Sequence, residues 1–393
     1  MTDVVASPQP TRASDGKGWL DLGPRDIRRD RENPDILVPP ATDHGTMPNL
    51  KYSFSDAHQR LEDGGWAREV TNREIPASTD VAGVNMALDP GAYRELHWHK
   101  EAEWGLVLVG SCRLTAIDEH GRSFIDDVKA GDLWNFEAGI PHSIQGLEDG
   151  VEFLLVFSDP DFSENFTFLL SDWFAHTPQD VVAANLKKTP DEISGFPKKE
   201  KYIFSADVPR PIAEVDRPVP AGTVPSPFTW HMENTEAVES EAGRVRVVDV
   251  NVFAAARTIC AAFVEVEPGG MRELHWHPKA AEWQYYIQGS ARMTVFNSNG
   301  LSRTFDYQAG DVGVVPLVAG HYVQNTGDEK LIYVEVFKYP EYSDISANKW
   351  LASNPAYVVA DHLNVTSEFA ESLPREDQPA PVIWYDQSKI EKR

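Results

Sequence analysis

From Tyr52 to about Phe157 the chain alternates short apolar runs with turns rich in Gly, Asp and Pro; VNMALDP, LVLVGSCRLTAID and VEFLLVFSD are examples. Runs of that length and spacing predict the strands of an all-β sandwich or barrel. The same texture returns from about Trp230 to Phe337. Between the two lies a loop, DPDFSENFTF (159–168), and then two helix signals. Thr177-Pro178 precedes QDVVAANL and Thr189-Pro190 precedes DEISGF, each read as Thr at the N-cap with Pro at N1. A Pro-rich linker follows over 208–228. After the second β region, Trp350 precedes Pro355 by five positions, as Trp173 precedes Pro178, and AYVVADHL echoes DVVAANL. Each repeat unit is therefore expected to be a barrel with a helical appendage. Residues 1–50 lack periodicity and read as an N-terminal arm. Residues 51–228 read as the first domain and 229–393 as the second, with an extended tail from about Pro374.

The repetition extends to chemistry. Gly91 to Gly110 contains His97, His99 and Glu103, and His142 follows in GIPHSIQ. Gly269 to Gly289 contains His275, His277 and Glu282, and His321 follows in AGHYVQN. The two His pairs are each separated by 178 positions; the Glu pair and the later His pair are each separated by 179. Strand alternation puts the two histidines of each HWH on one face and sends Trp98 and Trp276 to the other. The extra residue falls between the second His and the Glu. A one-residue slip inside a strand would flip the Glu to the wrong face, so 100–102 and 278–281 read as turns. Twelve histidines occur in the chain and six belong to these two matched sets, so chance is a poor explanation.

Three neutral imidazoles and one carboxylate on the inner face of a small barrel bind a divalent transition metal. Mixed N and O donors leave two positions of an octahedron open, unlike a closed sulfur-rich zinc site. Arg94 and Arg272 each stand three residues before the first His. On a regular strand that spacing points them away from the metal; a twist would bring them in, and the sequence leaves both readings open. With Arg inward, metal, carboxylate and guanidinium sum to a local positive charge suited to a small anion.

The net charge of −25 argues against nucleic acid and anionic membrane surfaces as partners. No stretch reaches eighteen apolar residues, and the N-terminus shows no apolar leader, so a cytoplasmic protein with no membrane span is expected. Cys112 and Cys260 are too few for a disulfide framework and sit in apolar runs as expected buried thiols.

These residues resemble the cupin superfamily. The first cupin motif, G-x5-H-x-H-x3,4-E-x6-G, is met in full twice. The second, G-x5-P-x-G-x2-H-x3-N, is met with departures: Gly131, Gly139 and His142 fit, with Glu137 for Pro and Gly146 for Asn. Gly310, Pro316, His321 and Asn325 fit, with Val318 for Gly. The resemblance implies two double-stranded β-helix, or jelly-roll, barrels in tandem. Within the cupins the chain resembles the bicupin oxalate decarboxylases over roughly residues 24 to 370, through RELHWHKEAEW, EFLLVFSDPDFSEN, RELHWHP and FDYQAGDVG among others. That family implies two manganese ions per chain, oxalate converted to formate and carbon dioxide, dioxygen required as cocatalyst, and a hexamer built as a dimer of trimers. It implies a lid over the N-terminal metal, matched here by Ser163, Glu164, Asn165 and Phe166. Glu164 takes the place of the proton-transfer residue. Phe166 departs from the usual small polar residue, which bears on how the lid closes. Arg94 matches the oxalate-polarising residue. Arg272 and Glu335 match candidate substrate and proton residues at the second centre. KYPEYSDIS after Phe337 shows no SEN-like loop, so the second centre is expected to be mainly structural. The alternatives are a bicupin oxalate oxidase giving peroxide, a non-catalytic storage or metal-binding bicupin, and a metal-dependent enzyme for another small acid.

Overall fold

The computed structural model describes residues 40–216, 219–374, 381–386 and 388. The expected arm up to residue 39, and most of the tail beyond Pro374, lie outside the described residues.

The chain divides into two compact units, though not by single cuts at 50 and 228. One comprises Asp56–Thr235 and Val248–Cys260. The other comprises the described residues up to Ser55, Glu236–Val247, and those from Ala261 onward. Backbone pairing explains the interleaving. The strand Lys51–Ser53 pairs with Asp311–Val315, and Lys51 Nζ lies 3.1 Å from Asp311. Thr229–Trp230 pairs with Leu133–Phe136. Within the same unit, Asn135 donates to Ala255 O and Thr258 Oγ1 to Glu137.

In the first barrel two long antiparallel strands, Glu103–Ile117 and His142–Phe157, carry the structure. They change register at Val107/Val109 and at Gly110/Cys112, turning from one wall to the next. In the second barrel the same corner breaks the strand into Glu282–Gln288 and Ser290–Phe296, at Gly289. Gly110 and Gly289 hold φ +75° and +83°, which a side chain would strain. The first core gathers Trp134, Phe136, Phe153, Phe157 and Phe162 with aliphatics from both walls. The glycine missing at position 318 has a visible consequence: Val318 takes φ +59°.

The appendages are helical, with altered ends. Gln179–Asn185 is α-helical, but Pro178 is its N-cap, and Thr177 Oγ1 donates back to Trp173 O. Residues 190–195 form turns, although Thr189 and Glu192 exchange capping bonds; the stretch is too short to propagate a helix. Ala347–Ala352, Ala356–Leu363 and Ser367–Glu371 follow the second barrel. Cys112 and Cys260 are buried and unbridged. Among the described residues no helix is long and apolar enough to cross a membrane.

Candidate metal centres and the loops above them

The ligand strand Tyr93–Trp98 runs antiparallel to His142–Phe157, with His97 opposite His142 and Arg94 opposite Ile144. Three steps on one strand answer two on the other. That bulge resolves the Arg94 question: it rotates the strand so that Arg94 and His97 both point inward, and Arg94 is 1% exposed. The second barrel repeats the bulge between Arg272 and His275, and Arg272 is fully buried. Turns separate Trp98 from Glu103 and Trp276 from Glu282, so each Glu opens the next strand.

His97, His99, Glu103 and His142 converge in one barrel, and His275, His277, Glu282 and His321 in the other; within each set the donor atoms lie within 4.8 Å of one another. The imidazole centroids are 4.8, 4.2 and 5.6 Å apart in the first set and 5.0, 4.2 and 5.6 Å in the second. Backbone carbonyls fix the tautomers. His97 donates Nδ1–H to Glu95 O, His142 to Ile140 O, His275 to Glu273 O and His321 to Ala319 O. Their Nε2 lone pairs are thereby left for the centre.

These donor sets fit a divalent ion on their own terms. In the second set His277 and His321 Nε2 lie 3.1 and 2.8 Å from Glu282 Oε2, yet none of the three atoms has a hydrogen-bond partner among the described residues. Buried donor atoms crowded at that distance suit a shared cation. Burial, then the neighbouring arginine, lowers His97 and His275 well below the usual imidazole range. Burial would raise Glu103, but His142 and His99 hold it far below the usual carboxylate range. Burial opposes a charge on His277 too, but Glu282 and Glu335 draw it upward. Each carboxylate has a second support: Glu103 Oε1 accepts from Trp134 Nε1 at 2.8 Å, and Glu282 Oε1 accepts from Gln284 Nε2 at 2.6 Å. The two supports trade places across one strand pair. Gly105 faces Trp134, and Gln284 faces Gly313. A Cβ on Gly105 would stand 2.0 Å from the Trp134 ring, and one on Gly313 would stand 2.6 Å from Gln284 Oε1.

Above the first set, Ser163 caps a single turn of 3-10 helix, Glu164–Phe166. Glu164 is buried, and its Oε2 lies 2.8 Å from Arg94 Nη2. Glu69 holds the turn from the side, accepting from Glu164 N through one oxygen and from Arg73 through the other. The Tyr202 ring is gripped between Arg60 and Arg94, at 3.6 and 4.2 Å. Arg94 Nη1, Glu164 Oε1 and Tyr202 OH are buried without partners among the described residues. A cavity of about 300 Å³, lined by Glu164, Asn165, Tyr202, Arg60 and Arg73, opens beside them. A larger cavity of about 640 Å³ elsewhere in this barrel unit contains no ligand histidine, so size alone misplaces the site. Phe166 points outward, 79% exposed.

At the second centre Arg272 bonds Tyr342 OH at 3.0 Å and Asp344 Oδ2, and its Nε lies 3.8 Å from Glu335. Burial, then Glu282, pushes Glu335 up to about 7. Sequence reasoning did not single out Trp134, Tyr202, Glu69 or Asp344. The first three carry no motif. Asp344 could have been found, since it stands seven positions after Phe337 as Glu164 does after Phe157. Trp98 and Trp276 do face away from the metals: Trp98 stacks on Phe168 and meets Trp173 edge-on, and Trp276 meets Trp350.

Two jelly-roll barrels, each with an inward His3Glu set, define a bicupin. The Cupin family profile matches residues 52–194 and 232–371. The chain is 57% identical over 372 residues to the oxalate decarboxylase of Bacillus subtilis (strain 168), covering 95% of this chain and 96% of the relative. It superposes on a solved structure of the Bacillus subtilis oxalate decarboxylase, studied for its Mn(II) centres, with TM-score 0.90, 56% identity and coverage of 96% and 99%. A formate complex of Lactobacillus farciminis oxalate decarboxylase matches with TM-score 0.84, 64% identity and coverage of 85% and 99%. The chain belongs to the bicupin oxalate decarboxylase family.

Proposed function

We propose that this protein converts oxalate to formate and carbon dioxide, with manganese at both His3Glu sets and turnover at the N-terminal one. His97, His99, Glu103 and His142 would hold the catalytic ion, and His275, His277, Glu282 and His321 the second. Manganese supplies Lewis acidity and accessible one-electron chemistry with dioxygen, which is required and not consumed overall. The observation that carries the reading is the buried Arg94–Glu164 pair beside the first set.

The overall change is redox-neutral: hydrogen oxalate loses carbon dioxide from one carbon, and the other gains a proton. Arg94 is placed to take one substrate carboxylate through its guanidinium, and its unpartnered Nη1 is a ready donor. Glu164 is the lid acid, which gives a proton to the formyl carbon after the C–C bond breaks. The turn Ser163–Phe166 carries it in and excludes water while it acts. Tyr202, wedged between two arginines, fixes the direction of the Arg94 side chain. Without Glu164 the substrate is open to full oxidation, with peroxide as the by-product.

The assay is product analysis on manganese-loaded protein at mildly acid pH, with formate and peroxide quantified together. About one formate per oxalate, lost in Glu164→Ala, is expected. Peroxide as the main wild-type product would make the protein an oxidase, and neither product would remove oxalate as substrate. The exposed Trp173 and Trp350 beside Trp98 and Trp276 support assembly into the hexamer that the family resemblance implies, which light scattering can weigh. The two cysteines, buried and not joined in a disulfide, support a cytoplasmic location, which fractionation tests.

A further inference from the structure

The second centre has a cover of its own. Glu103 lies opposite Phe157 and Glu282 opposite Phe337, which makes the two phenylalanines equivalent. Seven positions later come Glu164 and Asp344, and each sets a carboxylate on Nη2 of its own arginine. Each loop then rejoins its ligand strand, Leu169 opposite His97 and Ser346 opposite His275. From phenylalanine to that junction takes twelve residues in the first barrel and nine in the second.

The loops are fastened differently. His277 donates Nδ1–H to Ser343 O at 3.0 Å, which ties the shorter loop to a ligand histidine. The equivalent His99 Nδ1 is buried with no partner among the described residues, so nothing ties the longer loop there. Arg272 is held from further directions, by Tyr342 OH and Pro381 O. An anion reaching Arg94 has to displace the Glu164 carboxylate, on a turn whose tie is the Glu164 N–H to Glu69 and not a ligand histidine. An anion reaching Arg272 has to displace Asp344 and carry along a loop with three residues less slack, bonded to His277.

We propose that Asp344 is an internal stand-in for the substrate carboxylate: seated on Arg272, it keeps the second metal centre closed to oxalate. The inference rests on the oxalate reading of the first centre. It gives Arg272 a latent anion site of the same class, occupied by the chain itself. Removing the Asp344 carboxylate leaves a buried guanidinium short of its closest anion, and oxalate has the charge and the size to replace it.

The test is calorimetric titration of fully manganese-loaded protein with oxalate, with dioxygen excluded to prevent turnover. Wild type should bind one oxalate per chain. Asp344→Ala should bind two, and Asp344→Ser, which keeps a hydroxyl near Tyr342 and Arg272, covers the case in which the alanine variant does not fold. Metal analysis and melting curves verify that both centres are loaded and intact. One oxalate per chain in a folded variant, or two in wild type, overturns the role of Asp344 and leaves the first centre untouched. No oxalate bound to wild type refutes the oxalate reading and this inference with it.

Discussion

Trp134→Phe isolates the outer support of one metal centre. The indole N–H donates at 2.8 Å to Glu103 Oε1, while Glu103 Oε2 faces His99 and His142 at 3.1 and 3.2 Å. Phenylalanine keeps an apolar ring against Gly105 and deletes only the donor and one ring. A hydrogen bond to a charged group is worth about 1.5–3 kcal/mol net, which caps the loss of metal affinity at a factor of about 10–150. Loss of such a partner commonly costs about 10–100-fold in affinity, so we expect the N-terminal centre to weaken by tens of fold. The assay is manganese release to a competing chelator, followed by metal content per chain. The second centre is the internal standard, since Glu282 takes its bond from Gln284. Release should split into a weakened phase and an unchanged one, with decarboxylation falling in step with the first. A change under about twofold, or both phases moving together, would refute the view that the indole orients Glu103.

Three further outcomes are expected. Glu335 sits at about 7, above the ordinary value near 4.3. A raised acid favours the folded state while it keeps its proton and costs stability as pH climbs from the lower value through the higher. Metal-free Glu335→Gln should therefore melt with wild type near pH 4 and above it past about pH 7, by roughly 1.4 kcal/mol per unit of displacement; coincident melts at about pH 8 would contradict this. Phe166→Ser should leave the melting temperature unchanged to within the ~0.5 kcal/mol typical of surface changes, since the ring is 79% exposed; a clear drop would show that the ring packs in the assembled protein. Val318→Gly should stabilise by on the order of 1 kcal/mol, because a β-branched residue at φ +59° carries left-handed strain, and denaturant midpoints check it.

Two tandem β domains and both ligand sets were legible because strand alternation and a fixed spacing constrain the same residues twice; the jelly-roll form came from the family resemblance. Arg94 and Arg272 were not, because a bulge adds one residue to the ligand strand and reverses the parity on which alternation depends. Asp344 keeps the seven-residue spacing of Glu164 but was masked by a different acid and by the loss of the Ser-Glu-Asn pattern around it. Trp134 reaches Glu103 from a neighbouring strand, and Tyr202 reaches Arg94 from a bend more than a hundred residues later, which local pattern does not encode. The 189–196 stretch has capping chemistry without enough residues behind it to make a helix.

The reversed Gly105/Trp134 and Gln284/Gly313 pairs bear on how the two halves of the gene could diverge and stay apart. Exchanging one strand between halves would set glutamine against tryptophan in one product and glycine against glycine in the other, an overlap and a hole. Only an exchange that carries both strands together restores a filled wall and a supported carboxylate. Packing at both centres thus opposes the exchange of a single strand between the duplicated barrels.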